Sequence, residues 1–353
     1  MKKYILITFY LFISCSSEQD SVITGGSINN DNTSSEWSIP VDEIFEGAGR
    51  DGIPSIDNPV FLSGQNSFVD SFLNSDDLVI GVKIGNETRA YPHKILDWHE
   101  IVNDEINGQK MTINYCPLTR TGFVWKVQNL SNYKFGVSGL LYNSNLIMYD
   151  RETNSNWSQM SLMCVNGDRL GDKPILENLV EVSWGEWKKM YPNTKVLGSN
   201  QGFDRDYNIY PYGGYLNVDD FLFFPVSPKD SRLNNKERVY CVLNGENLKA
   251  YRFSSFKNGS VIKDEFEGNK YLIVGNNNVI KSYILPDDLQ TSIFSYSYQN
   301  SEEFFSDNGG NKWSVFGEAI EGPLKGRKLK SSISVTGFWF SVASFYPNPE
   351  IYQ

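Results

Sequence analysis

The chain holds only two histidines, His93 and His99, and both lie within residues 91–100. Histidine changes charge nearest neutral pH, so acid/base or metal chemistry has few other places to sit. Glu100 stands next to His99, and one expected strand later comes Cys116, followed by Pro117. An imidazole, a carboxylate and a thiol in one compact unit make two chemistries available. In the first, His99 and Cys116 ligate a transition metal such as copper, iron or zinc, with Glu100 beside them. In the second, Cys116 is a nucleophile, His99 its base, and Glu100 or Asp97 the orienting group. The run from His99 to Asn103 is not a zincin helix, because Asn103 replaces the second histidine and is a poor zinc ligand. The bland alternative is a histidine satisfied by a backbone carbonyl and a cysteine in the core.

A repeat singles these residues out. Residues 79–91 recur at 239–251, with Gly85 and Gly245 160 positions apart. That register holds through Asp104/Asp264, Glu105/Glu265 and Gly108/Gly268. It then slips by a few residues to match Trp157 with Trp313 and Trp184 with Trp339. What both copies share is scaffold, and what only the first keeps is a candidate for chemistry. Gly259, Ser260 and Asn276 stand where the first copy has His99, Glu100 and Cys116. Arg120 follows Cys116 closely and would lower its pKa if turned inward. Tyr142, Asn143, Asp150 and Arg151 are further pocket candidates, with Asp150 equally suited to stabilising a turn. Arg205 lies in an aromatic segment, 203–215, that either closes over the pocket or packs as an ordinary linker.

The elements that must position these groups are short. A strand over 79–84 turns at Gly85-Asn86 into another at 88–91. Pro92 then suits the first position of a short helix carrying Ile95 and His99. A strand over 110–115 delivers Cys116 to its end, and another spans 146–149. Trp184, Trp187 and Met190 sit at helical spacing within 182–191, which Pro192 ends. Aromatic content is 14%, and Val and Ile occur in short alternating runs. The expected fold is mainly β (α+β), a tandem duplication of a strand-rich unit with few helices, in two lobes. The first unit covers 41–200, an aromatic-rich connector 201–235, and a degenerate second unit 236–353.

The amino terminus sets an expected location. Lys2 and Lys3 precede an apolar run that stops at Ser14-Cys15, far short of the ~20 residues a membrane span needs. The pattern is that of a lipoprotein signal over 1–14, with Cys15 the lipidated first residue of the mature protein. Residues 15–40, rich in Ser, Asn, Asp and Gly, bury little and read as a flexible tether. Ser16 matches the usual outer-membrane sorting pattern, so the expected place is the cell envelope, on its periplasmic or outer face. A net charge of −10 argues against nucleic acid. No phosphate loop or serine elbow occurs. Beyond Cys15, the cysteines are Cys116, Cys164 and Cys241, an odd number that leaves at least one thiol without an internal partner.

Several longer motifs carry a resemblance. The stretch 51–59 (Asp51-Gly52-Ile53-Pro54-Ser55-Ile56-Asp57-Asn58-Pro59), Trp98 to Asp104, Tyr115-Cys116-Pro117-Leu118, Gly136 to Ser144 and Met148 to Arg151 occur in the order of the DUF3179 family, which the chain resembles from about Asp51 onward. The resemblance implies no particular activity. Members often carry Cys-Pro-Leu-Cys where this chain has Thr119, so a CxxC redox couple is not available unless Cys164 or Cys241 comes close in space. Members also often have an apolar residue at the position of His93, which makes His99 the stronger histidine. Two readings of function stand: an envelope enzyme or metal protein built on His99, Glu100 and Cys116, or a non-catalytic lipoprotein that binds a glycan, peptide or protein partner.

Overall fold

The structure is a computed structural model that describes residues 26–27 and 36–353, except 129 and 133. The expected leader, Cys15 and most of the tether lie outside the described residues. Residues 36–40, placed above with the tether, lie against the first unit: Trp37 bridges Asn166, and Ser38 N donates to Val165 O at 2.9 Å. No helix among the described residues is long and apolar enough to cross a membrane.

The molecule is mainly β with a few short helices, as composition and alternation predict. Each unit begins with a platform sheet. In the first, the order is Leu179–Ser183, Leu78–Ile84, Glu87–Pro92, Lys195–Leu197, Phe61–Ser63. The second repeats the first four as Ile333–Phe338, Arg238–Asn244, Asn247–Arg252 and Glu350–Ile351. In both, the fourth strand runs parallel to the third and the other pairs are antiparallel. The helices Trp184–Met190 and Trp339–Phe345 follow equivalent strands. The first helix is shorter than its spacing predicts, because Val182 and Ser183 finish the strand and the Ser183 hydroxyl caps the helix. Similarly, Pro92 takes the position before the helix His93–His99 rather than its first turn.

Each platform leads into an arm. The first arm is a hairpin of Ile101–Ile106 and Gln109–Cys116, then Thr121–Lys126 and a meander from Phe135–Tyr142 to Met163–Asn166. The second runs Ser260–Phe266, Asn269–Gly275, Ile280–Ile284, then Phe294–Tyr296 to Ala319–Glu321. Matched contacts hold both. Trp157 Nε1 donates to Asp150 Oδ2 at 3.0 Å, and Trp313 Nε1 to Asp307 Oδ2 at 2.8 Å. Tyr91 donates to Asp104 at 2.6 Å, and Tyr251 to Asp264 at 2.7 Å.

The two units do not each close a core of their own. One core joins Val79, Ala90, Trp184 and Trp187 of the first platform to Leu272, Phe305 and Trp313 of the second arm. Another joins Phe123, Trp125 and Trp157 of the first arm to Val239, Cys241 and Trp339 of the second platform. Only the opposite platform faces pack within their own unit, as Ile80, Val82 and Tyr91 do on Ile113 and Val124. Strand alternation makes this exchange possible, since adjacent residues such as Val79 and Ile80 enter different cores. Gly81 belongs to the same design: a Cβ there would lie 2.3 Å from the Trp187 ring, so the helix could not lie down on the sheet.

Candidate functional site

The helix His93–His99 and the end of the strand Gln109–Cys116 bring the expected residues into one region but not into one constellation. His99 is fully buried and is not among the residues lining Cys116's pocket. Its Nδ1 donates to the Pro54 carbonyl at 2.8 Å, and its Nε2 accepts from the Tyr207 hydroxyl at 2.7 Å. A carbonyl can only accept, which fixes this tautomer. Burial, with Arg205 adding, holds the pKa below the ordinary value against the opposing Pro54 bond, so the ring is neutral. Both ring nitrogens are engaged. Among the described residues no cluster of three or more His, Cys, Asp or Glu side chains is arranged to hold a metal ion. His99 therefore orders the loop at 51–59 and the connector.

That loop explains several motif residues. Tyr149 donates to Asp51 at 2.6 Å, Arg151 to Ser55 at 3.0 Å, and Asn103 Nδ2 to Asp57 at 2.7 Å. Arg151 is thus a loop clamp rather than a pocket residue. Asp150 anchors Trp157, as Asp307 anchors Trp313, and belongs to the shared scaffold. Asn143 brackets Ser227, accepting from its N at 2.8 Å and donating to its O at 3.1 Å. Tyr142 packs edge-on to Phe345, and Arg205 lies over Trp98.

Glu100 and Cys116 do meet. Both line a largely apolar cavity of about 40 Å3, walled by Ile53, Leu118, Leu146 and Phe224 and covered by Tyr212. Glu100 ends the helix with φ +57, a left-handed conformation rarely taken by a residue of this type. The turn sends its carboxyl into the cavity, where the Tyr212 hydroxyl donates to Oε1 at 3.3 Å. Burial, with Asp97 nearby, pushes the carboxyl up to about 8 despite the Tyr212 bond, so it holds its proton at neutral pH. Cys116 faces the Ser144 carbonyl at 3.8 Å, and burial with Glu100 nearby pushes the thiol up to about 11. It is therefore a thiol, not a thiolate, which disfavours the nucleophile reading. Cys116, Cys164 and Cys241 are all free and buried, so neither Cys164 nor Cys241 replaces the missing CxxC cysteine. Thr119 instead accepts from Asn145 at 2.9 Å and pairs with Thr121 at 2.8 Å.

Beside this cavity lies a cluster of polar side chains. Arg120, in the turn after Cys116 and itself at φ +52, donates from Nη2 to His93 Nδ1 at 3.3 Å. His93 lies against Tyr115, ring centroids 4.4 Å apart, and its Nε2 is 3.8 Å from Glu181, which pairs with Arg238. Burial and the two guanidinium groups keep His93 neutral. Burial opposes the Arg120 charge, yet Tyr115, Asp97, Glu181 and Tyr210 hold it in place. Among the described residues, no carboxylate comes within ion-pair distance of that guanidinium. Asp97, half-buried, is raised to about 7 by burial in spite of Arg120. Five buried polar atoms without a hydrogen-bond partner gather here: His93 Nε2, Tyr115 OH, Arg120 Nε, Tyr210 OH and Arg238 Nε. Such atoms are rare in folded proteins and call for a partner, whether water or a ligand.

The connector closes this region. Tyr207 bonds His99, Tyr212 bonds Glu100, and Trp98 Nε1 donates to the Ile209 carbonyl at 2.9 Å. Sequence reasoning found Arg120 and named Asp97 only as an orienting group, and it missed Tyr115, Tyr210 and Tyr212. For Asp97 and Tyr115 the repeat held a signal. Asp97 and Tyr115 face Lys257 and Gly275 at the 160 offset. The turn bearing Arg120 is two residues shorter in the second copy, because Tyr115 pairs with Gly122 but Gly275 with Ile280. No curated protein and no solved structure matches the chain. The loop at 51–59, the Cys116-Pro117-Leu118 turn and the strands around them fall within residues 50–349, which match the family described as a protein of unknown function, DUF3179, and the chain belongs to that family.

Proposed function

We propose that this chain is a lipid-anchored envelope protein whose first unit binds a small carboxylate and exchanges a proton with it. The observation that carries this reading is the half-buried Arg120 guanidinium, its Nε enclosed without a hydrogen-bond partner and with no carboxylate within ion-pair distance among the described residues. An enclosed, unpaired charge is costly, and an anionic ligand would supply its counter-charge. Tyr115 and Tyr210 offer hydroxyl donors without partners, and Asp97 and Glu100 hold protons near neutral pH. Cys116 serves as a neutral thiol lining the apolar end. The closed aromatic cover over Glu100 and Cys116 favours a second reading, in which the same ligand is bound without turnover.

Calorimetry with acetate, lactate and pyruvate tests the site. Binding to the wild-type chain that weakens about tenfold or more in Arg120→Lys, which keeps the charge but loses the planar fork, supports it. No binding by any of the three, or equal binding by the variant, sinks it. The anchor is tested separately: Cys15→Ala should release the protein from salt-washed membranes, and retention there would refute anchoring.

A further inference from the structure

A second pocket, of about 420 Å3, opens where the two units meet, and its size falls within the roughly 300–1,000 Å3 of small-molecule sites. The segment joining Ile175–Glu177 to Leu179–Ser183 comes from the first unit, and the segment leading into Ile333–Phe338 from the second. Asn178 Nδ2 donates to Ser331 Oγ at 2.6 Å, closing the seam. Neither the repeat nor the first-unit site calls for a cavity at this place.

Its charges are uneven. Glu177 pairs with Lys126 at 3.0 Å and Glu181 with Arg238, so the acidic lining is already neutralised. Lys83 is likewise held by Glu302 and Glu318 at 3.0 and 3.2 Å. Lys281 differs. It is 4% exposed and lines the pocket, and its Nζ donates only to neutral acceptors, Asn178 Oδ1 and the Leu179 carbonyl, both at 2.7 Å. An ammonium has three donors, so one remains for a ligand. Lys328 and Lys330 line the same pocket, exposed, with no carboxylate partner among the described residues. Ser332, Ser334 and Thr336 add hydroxyls.

We infer that this seam pocket takes up a sugar-sized oxyanion, a uronic acid or a sugar phosphate, with Lys281 at its base and Lys328 and Lys330 at its edge. Two exposed cations without carboxylate partners and a buried lysine held only by neutral acceptors ask for an anion, and a hydroxyl-rich wall asks for a hydroxylated one. The volume exceeds what inorganic phosphate needs. Burial pulls Lys281 down to about 7, and an oxyanion beside it would restore its charge. A lysine that merely clasped Asn178 and Leu179 would have no reason to open onto a cavity of this size.

Calorimetry on the mature chain tests this with glucuronate, glucose 6-phosphate, glucose and inorganic phosphate. The expected result is binding of one or both sugar anions but not glucose, weakened about tenfold or more in Lys281→Met. Which of the two binds tells the carboxylate source from the phosphate source. Should Lys281→Met fail to fold, Lys328→Ser with Lys330→Ser, both on the surface, should weaken binding about threefold or more. Equal binding of glucose, binding of inorganic phosphate alone, no binding of either sugar anion, or variants that fold and bind like the wild type would each overturn the inference.

Discussion

The two units share a scaffold and differ in one corner, and the difference shows how a site is built on a fold that does not need it. Both platforms keep the same strand order, and both arms hang a tryptophan on an aspartate. In the first, a helix ends on Glu100 at φ +57, and the following strand leads to Cys116 and Arg120. In the second, a short 3-10 turn, Phe253–Phe256, is followed by Gly259 at φ +83, which turns the chain one position before the counterpart of Glu100. Glycine takes that conformation freely, whereas glutamate takes it against its own preference. Where the scaffold needed only a turn it has glycine, and where the turn must also deliver a carboxyl it has glutamate.

The scaffold half of this comparison predicts the largest effect. Trp157→Ala and Trp313→Ala should each cost about 3–5 kcal/mol in denaturant unfolding, since each leaves a large cavity. Because each core holds parts of both units, either variant should move one common transition. Separate transitions for the two units would break the picture of reciprocal cores.

The pH response of Glu100 comes next. Its pKa rises from 4.5 to about 8 on folding. Below pH about 4.5 both states hold the proton and the site costs nothing on this account. As pH climbs toward 8 the folded state retains a proton that the unfolded state has lost, and stability falls. Glu100→Gln should remove this slope, so wild type should lose on the order of a few kcal/mol relative to the variant over that window. Parallel curves would mean that the carboxyl is not buried in solution.

Smaller effects sharpen the comparison. Asp150→Ala and Asp307→Ala each strand an indole N–H and turn amides, and should cost about 1–3 kcal/mol by matched amounts. A loss of ligand binding from Asp150→Ala without loss of stability would return that residue to the site. Smallest is a rate: Cys116, buried and pushed up to about 11, should label with a thiol reagent far more slowly in the native than in the unfolded chain at pH 8. Rapid native labelling, absent in Cys116→Ser, would revive the nucleophile.

Part of this was legible in the residues. The duplication could be read because glycines at hairpin turns and large aromatics sit where the backbone allows few substitutes. Subtracting one copy from the other singled out His99, Glu100 and Cys116, of which Glu100 and Cys116 line one cavity. It failed for His99, which differs between the copies yet serves the fold, because neighbours on a helix point about 100° apart and Glu100 turns the chain away. Asp150 failed through a one-residue slip, since it faces Ser306 by simple counting but matches Asp307 through the tryptophan bond. Glu181, Tyr210 and Arg238 could not be read at all, as they arrive from elements far apart in sequence. Periodicity likewise shows that a platform face is buried but not which unit covers it.

The exchanged cores carry a consequence for how such a chain can change. A lone unit would leave one face of its platform bare and persist only by pairing with another copy, as a symmetric dimer whose two halves each carry a site. Joining the halves through residues 201–235 turns that encounter into an intramolecular one, with an effective concentration set by the connector rather than by expression level. Once the partner is guaranteed, a mutation can erase reactive residues from one half while the other still has its cover. The second unit is therefore free to change at the corner of Gly259 and Asn276 but not to be deleted.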